Sequence, residues 1–141
     1  MTDQIKDDLM ALMRIPGLSG HEDRVRHAIT ARLDAMGLAP QSDVLSNLWV
    51  SFAGNGPSVM LFTHMDQLGF VVRKIEADGL LRLERLGGVP ERALAAQEVL
   101  ICLGEGHDLP GVIANKSHHA TTPAEKYTVV PYAEVFVDAG F

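Results

Sequence analysis

The chain has one cysteine and one tryptophan in 141 residues, and aromatics make up only 6% of it. A single cysteine closes no disulfide within the chain, so the fold must hold by packing rather than by covalent staples. That residue, Cys102, lies in the apolar run EVLICLG and reads as a small core residue rather than a nucleophile. No apolar run approaches the roughly 20 residues that a bilayer-spanning helix needs. No basic n-region followed by an apolar h-region opens the chain. With the lone thiol, this gives the expectation of a reduced, cytoplasmic setting. Basic residues are scarce as well: 12 Lys and Arg stand against 18 Asp and Glu, for a formal charge of −6. An acidic chain without a basic run suits neither nucleic acid nor an anionic membrane surface, so neither is expected as a partner.

What is present is 47% apolar residues, enough to build one ordinary domain or two small ones. Ile5, Leu9, Leu12 and Met13 recur at helical spacing and predict a short amphipathic helix, which Pro16 and Gly17 stop. SGHE then offers a capping box. Ser19 is placed to accept from an amide three residues on, and Glu22 to reach back to the Ser19 amide. Val25, Ala28, Ile29, Leu33 and Met36 continue as one apolar face, so a second helix is expected over about 20–36, with Gly37 as its C-cap.

From Val44 the period changes. NLWVSF reads as a strand, AGNGPS as a turn, and Val59–Thr63, apolar almost throughout, as a central strand covered on both faces. Helix, helix, strand, strand is the start of an α/β layer. After Gly69 the character shifts. FVVRKIEADGLLRLERLGG predicts a hairpin around Asp78-Gly79, and EVLICLG, GVIAN and AEVFVDAG predict further short strands. RALAAQE is long enough for one helical turn. This half reads as a small β-barrel or sandwich. The division is placed at 1–68 and 69–141.

The apolar run ending VMLFTHMDQLGF carries the candidate chemistry. Ligand and catalytic groups of open α/β sheets gather at the carboxyl ends of strands, where His64 falls. Neutral imidazole is a common metal ligand, and a ligating histidine donates its other N–H to a carboxylate. In an extended backbone residues i and i+2 share a side, so Asp66 can support His64 while Met65 points away. The alternative is a core histidine paired with Asp66 for its own satisfaction.

In order along the chain stand IPGLSGHEDRVR, SNLWV, VMLFTHMDQLGF, ADGLLRLERLGGV, GVIANKSHHATTPAEK and VFVDAG. In this combination the sequence resembles the tetrahedral or deblocking aminopeptidases, metallopeptidase family forty-two. That family includes glutamyl aminopeptidases and proteins once labelled endoglucanases. The resemblance implies an α/β catalytic domain interrupted by a β-rich, PDZ-like insert that builds oligomer contacts. It implies an exopeptidase acting on peptides, in which two divalent ions, zinc or cobalt, activate a water. It assigns His64 as a metal ligand and Asp66, among the catalytic groups, as its supporting carboxylate. A homo-oligomer, a dodecamer in relatives, is the implied partner arrangement.

The sequence departs from the family pattern in three respects. The bridging aspartate, the general-base glutamate, two further acidic ligands and the last histidine have no counterpart in residues 69–141. The chain is therefore expected to correspond to the N-terminal part of such an enzyme, with a missing C-terminal segment as a further partner. Gln67 stands where the family commonly has Glu, and Ala114 and Ser117 replace a Gly and a Pro.

His118 and His119 read as a solvated turn, with metal binding as the alternative. His21 reads as an exposed first-turn residue, His27 as a polar-face residue, and His107 as part of a Gly-rich turn. Asp78 and Asp138 read as structural. Two other functions stay open. One is a non-catalytic β-module that binds peptide or self-associates through a sheet edge. The other, glycan hydrolysis, needs a facing carboxylate pair that the sequence does not offer.

Overall fold

A computed structural model describes residues 2–140. The chain divides into two compact units, Met1–Gln67 and Leu68–Phe141, taken in turn.

The first unit opens with α1 (Thr2–Met13) and α2 (Asp23–Ala35). α2 ends as its sequence predicts. Gly37 adopts φ 75°, its amide donates to the Asp34 carbonyl, and the Leu38 amide donates to that of Leu33. This is a Schellman ending, which needs a left-handed residue that glycine supplies without a Cβ clash. The start of α2 differs from expectation. Glu22 occupies the N-cap position without a side-chain cap. Its carboxylate accepts instead from the Gly20 amide at 2.8 Å. The Ser19–Glu22 capping box does not form, because the Ser19 hydroxyl is engaged elsewhere.

β1 (Gln41–Ser42) and β2 (Leu48–Trp49) form a two-stranded antiparallel ribbon. Asp43 organises its loop, accepting from the amides of Leu45 and Asn47 and from the Asn47 side chain. The strand expected over NLWVSF is thus confined to Leu48–Trp49. The expected central strand Val59–Thr63 pairs with nothing among the described residues. Val59, Met60, Leu61 and Phe62 are 83, 82, 93 and 88% exposed. Its composition suits a buried strand, but a ladder needs neighbours, and the ribbon is too short to supply them. Only Val25 among the described apolar residues of this unit is buried.

The second unit is one five-stranded antiparallel sheet rather than two facing sheets. Its strands are β3 (Gly69–Ile75), β4 (Leu81–Leu86), β5 (Glu98–Ile101), β6 (Leu109–Ala114) and β7 (Phe136–Asp138), in the spatial order β3-β4-β7-β6-β5. The Asp78-Gly79 hairpin forms as its sequence predicts, with Gly79 at φ 86°. Alternate residues of β4, Leu81 and Leu83, point into a core completed by Leu94, Ile113, Val135 and Val137. Leu94 follows a single 3-10 turn, Glu91–Ala93, which begins one residue before RALAAQE and takes in only its first two residues. Gly111 of β6 leaves room for side chains from the strands on either side: a Cβ there would lie 2.7 Å from Val137 Cγ1 and 3.0 Å from Ile101 Cδ1. Arg85 stacks over the Tyr132 ring at 5.0 Å, and the Tyr132 hydroxyl donates to Glu84. Cys102, expected in the core, is exposed just past the end of β5, where the chain has left the ladder.

Thr122-Pro123-Ala124-Glu125 supplies the capping box that Ser19–Glu22 does not. The Thr122 amide donates to the Glu125 carboxylate at 2.6 Å, and the Glu125 amide to the Thr122 hydroxyl at 3.4 Å. Lys116 reaches the same carboxylate at 3.2 Å. The Thr122 amide and hydroxyl, and then Lys116, lower the Glu125 carboxyl from 4.5 to about 2.

Two outcomes follow. A carboxylate with a depressed folded pKa stabilises the native loop fully above its ordinary value and loses that contribution as pH falls. Amide exchange around 116–128 should therefore accelerate as pH drops from about 4.5 toward about 2, after correction for intrinsic rates. Glu125→Gln should flatten that dependence. Second, each side chain of Val59–Phe62 gains about 1.5–3 kcal/mol on burial. The purified chain should accordingly associate or take up a covering polypeptide. A monodisperse 15.3 kDa monomer in analytical ultracentrifugation would contradict this.

Candidate metal-ligand site

Two distant segments of the first unit are stitched together around residue 66. The Gln67 amide donates to the Gly17 carbonyl at 2.6 Å, and Leu18 forms a parallel bridge with Gln67. The approach depends on Gly17 having no side chain. A Cβ there would lie 2.6 Å from Val25 Cγ2 and 3.4 Å from the Met65 carbonyl oxygen. PGLSG therefore contributes more than a helix stop: it lays its backbone against the segment that follows His64.

That contact brings Ser19 to Asp66. The Ser19 hydroxyl donates to Asp66 Oδ2 at 2.5 Å across 47 residues of sequence. The other carboxylate oxygen, Oδ1, lies 2.7 Å from His64 Nδ1, and the Asp66 backbone carbonyl lies 3.2 Å from the same nitrogen. Both neighbours of Nδ1 are acceptors, so the neutral ring carries its proton there. Nε2 then keeps its lone pair, on a side chain that is 81% exposed. Hydrogen bonds from Ser19 and then from His64 hold the Asp66 carboxyl below its ordinary range. It is therefore an anion at neutral pH.

The same-side geometry expected for residues two apart is present, although the segment carrying it is not a ladder strand. The other singled-out residues are not brought here. His118 and His119 stand in an exposed 3-10 turn with rings in T-shaped contact at 5.9 Å. Asp78 caps its hairpin turn at the Leu80 amide, and Asp138 accepts from the Gly140 amide. His21 is exposed, and His27 lies on the exposed face of α2. Ser19 is the residue that sequence reasoning missed. Its local context suggested a cap, and a pairing 47 residues away leaves no periodic trace.

An imidazole with a fixed tautomer and an outward lone pair is what one coordinating position requires. A catalytic zinc takes about three protein donors. Among the described residues no three His, Cys, Asp or Glu side chains gather to hold a metal. The residues of this chain thus fit one position of a metal centre and not a whole one.

A profile of the M42 glutamyl aminopeptidases matches residues 46–141. The chain belongs to the M42 family. Glutamyl aminopeptidase of Lactococcus lactis is 33% identical over 82% of this chain and 34% of its own length. A solved TET aminopeptidase from a marine sediment archaeon of the Thaumarchaeota superposes with TM-score 0.86 at 27% identity, over 98% of this chain and 39% of that one. The Pyrococcus horikoshii TET1 peptidase superposes with TM-score 0.84 at 28% identity, over 95% of this chain and 40% of that one. M42 enzymes are metal-dependent aminopeptidases. The present chain spans a little over a third of the length of the curated relatives it matches.

The stitch is directly testable. Gly17→Ala should force the 17–21 loop away from 65–67 and lengthen or break the Ser19–Asp66 bond. Slower exchange of the Gln67 amide than of its exposed neighbours in the parent chain, abolished in the variant, would show this. Equal protection in both would refute it.

Proposed function

We propose that this chain supplies the first histidine ligand, with its supporting carboxylate, to the two-metal centre of an aminopeptidase. That enzyme removes N-terminal residues from peptides. The single observation that carries the reading is the His64 ring, fixed at Nδ1 by Asp66 and open at Nε2. Membership of the M42 family supports it.

Divalent ions, zinc or cobalt, would activate the attacking water when bound. His64 Nε2 would hold one of them, and the Asp66 anion would keep the ring in the coordinating tautomer. The remaining donors and the general base would come from polypeptide corresponding to the rest of the longer relatives. The division into a catalytic part, 1–68, and an oligomer-building insert, 69–141, belongs to the same proposal. So do the PDZ-like character of the insert and a cytoplasmic setting. A homo-oligomer is part of it too, supported by the Pyrococcus horikoshii TET1 peptidase, which can assemble into a tetrahedron or a large octahedral shell.

The alternative, a β-module that recruits a strand to its edge, has less support. Of the two edge strands, β3 carries a register irregularity between Val72 and Lys74, with Arg73 and Lys74 along it, and β5 is only four residues long. Bulges and charges of this kind discourage strand addition.

The test is hydrolysis of aminoacyl anilides by the chain alone and by a preparation that also contains the remaining polypeptide. The chain alone should release no more aniline than its His64→Ala variant. The completed preparation should be active, lose activity to a chelator, and regain it with zinc or cobalt. In it, Asp66→Asn should weaken metal retention by about 10- to 100-fold. A completed preparation whose activity is indifferent to His64→Ala would overturn the assignment.

A further inference from the structure

We propose that Ser19 is a positioning residue for His64, acting through Asp66. The inference deepens the proposed reading, and its value to function rests on that reading.

The imidazole cannot be oriented by packing, since its side chain is 81% exposed. Its orientation depends on the acceptors at Nδ1, of which the Asp66 carboxylate is the nearer, at 2.7 Å against 3.2 Å for the backbone carbonyl. A carboxylate held at one oxygen swings readily, because the terminal torsion of aspartate is broad. Asp66 is held at both. His64 occupies Oδ1, and the Ser19 hydroxyl donates to Oδ2 at 2.5 Å.

Serine is suited to this place. Its hydroxyl has one proton to give, and a carboxylate anion is its strongest available acceptor here. The loop that brings it is fixed on its other side by the contact between the Gly17 carbonyl and the Gln67 amide. Ser19 is thus delivered to Asp66 by backbone bonds that do not involve His64. The chain of hydrogen bonds runs one way: Ser19 fixes the carboxylate, the carboxylate fixes the Nδ1 proton, and Nε2 is left as the donor atom.

The test reads the tautomer and not catalysis. Imidazole 15N shifts of His64 are recorded on the full chain in a chelator, well above the ordinary histidine pKa of about 6.5. The signals are assigned by their loss in His64→Ala. The parent chain should show the Nδ1–H form in excess. Ser19→Ala should reduce that excess by roughly 2- to 10-fold, the range of one net hydrogen bond. Ser19→Thr, which keeps the hydroxyl, should restore it. Should Ser19→Ala fail to fold, Ser19→Cys retains the volume with a weak donor and must show the same reduction.

An unchanged tautomer ratio in a folded Ala or Cys variant would overturn the proposal. So would a Thr variant that unfolds at the parent temperature yet leaves the ratio reduced. These readings are made without metal, so a failure here is distinct from a failure of His64 to serve as a ligand. That second failure would show only in the metal retention of the completed enzyme.

Discussion

The first unit depends on a close approach between two backbone segments, at Gly17 and Gln67. Their 2.6 Å hydrogen bond aligns residues 17–19 beside residues 65–67, and each nearby interaction follows from it. Val25 is buried beneath Gly17, where any Cβ would collide with it. Ser19 reaches Asp66 because it lies two residues beyond the contact on one side, and Asp66 one residue before it on the other. Replacing the stitch with ordinary loop packing would leave Asp66 with a single partner, and an exposed imidazole with nothing rigid behind it. The short range of the interaction matters too. A hydrogen bond between neutral backbone groups is little affected by salt, whereas the ion pairs of this unit, such as Arg32–Asp8 at 3.2 Å, lie in solvent and are screened.

The two units differ in what sustains them. Residues 68–141 have a core of their own, with Leu81, Leu83, Leu94, Ile113, Val135 and Val137 in one cluster. Residues 1–67 bury one apolar side chain among those described and expose Ile5, Leu9 and Met13 on the apolar face of α1. Hydrophobic burial is the main favourable term in folding. The half that bears His64 is therefore the half with the smaller share of it. Its order is concentrated in local devices: a Schellman ending, an aspartate-organised ribbon loop, and the stitch.

This contrast also explains which features were legible in the sequence. The end of α2 at Gly37 and the hairpin at Asp78-Gly79 are set by a few adjacent residues, and each was readable. His64 and Asp66 were readable as a pair because two-residue spacing fixes their side. Val59–Thr63 was not readable as unpaired, because composition records what a segment would bury but not whether a neighbour is there to bury it. Ser19 was misread for a related reason. A serine three residues before a glutamate satisfies a local rule, and the competing partner lay 47 residues away. Cys102 follows an apolar run but sits one residue past the end of its strand, where hydropathy no longer reports burial. Thr122–Glu125, close in sequence to His118 and His119, carries the capping pattern that Ser19–Glu22 only imitates.

Metal binding and ligand geometry are separable here. Binding needs several donors and depends on residues far apart in a chain. Orientation of one donor needs only its own neighbours. In the proposed reading the second requirement is met by the side chains of Ser19 and Asp66 and by one backbone contact, with almost no core behind them. A ring already held in its coordinating tautomer loses less entropy when a metal arrives than one that must first be turned and deprotonated at the right nitrogen. In the proposed reading Ser19, Asp66 and Gly17 pre-organise His64, and they do so in the part of the molecule whose apolar surface most needs to be covered.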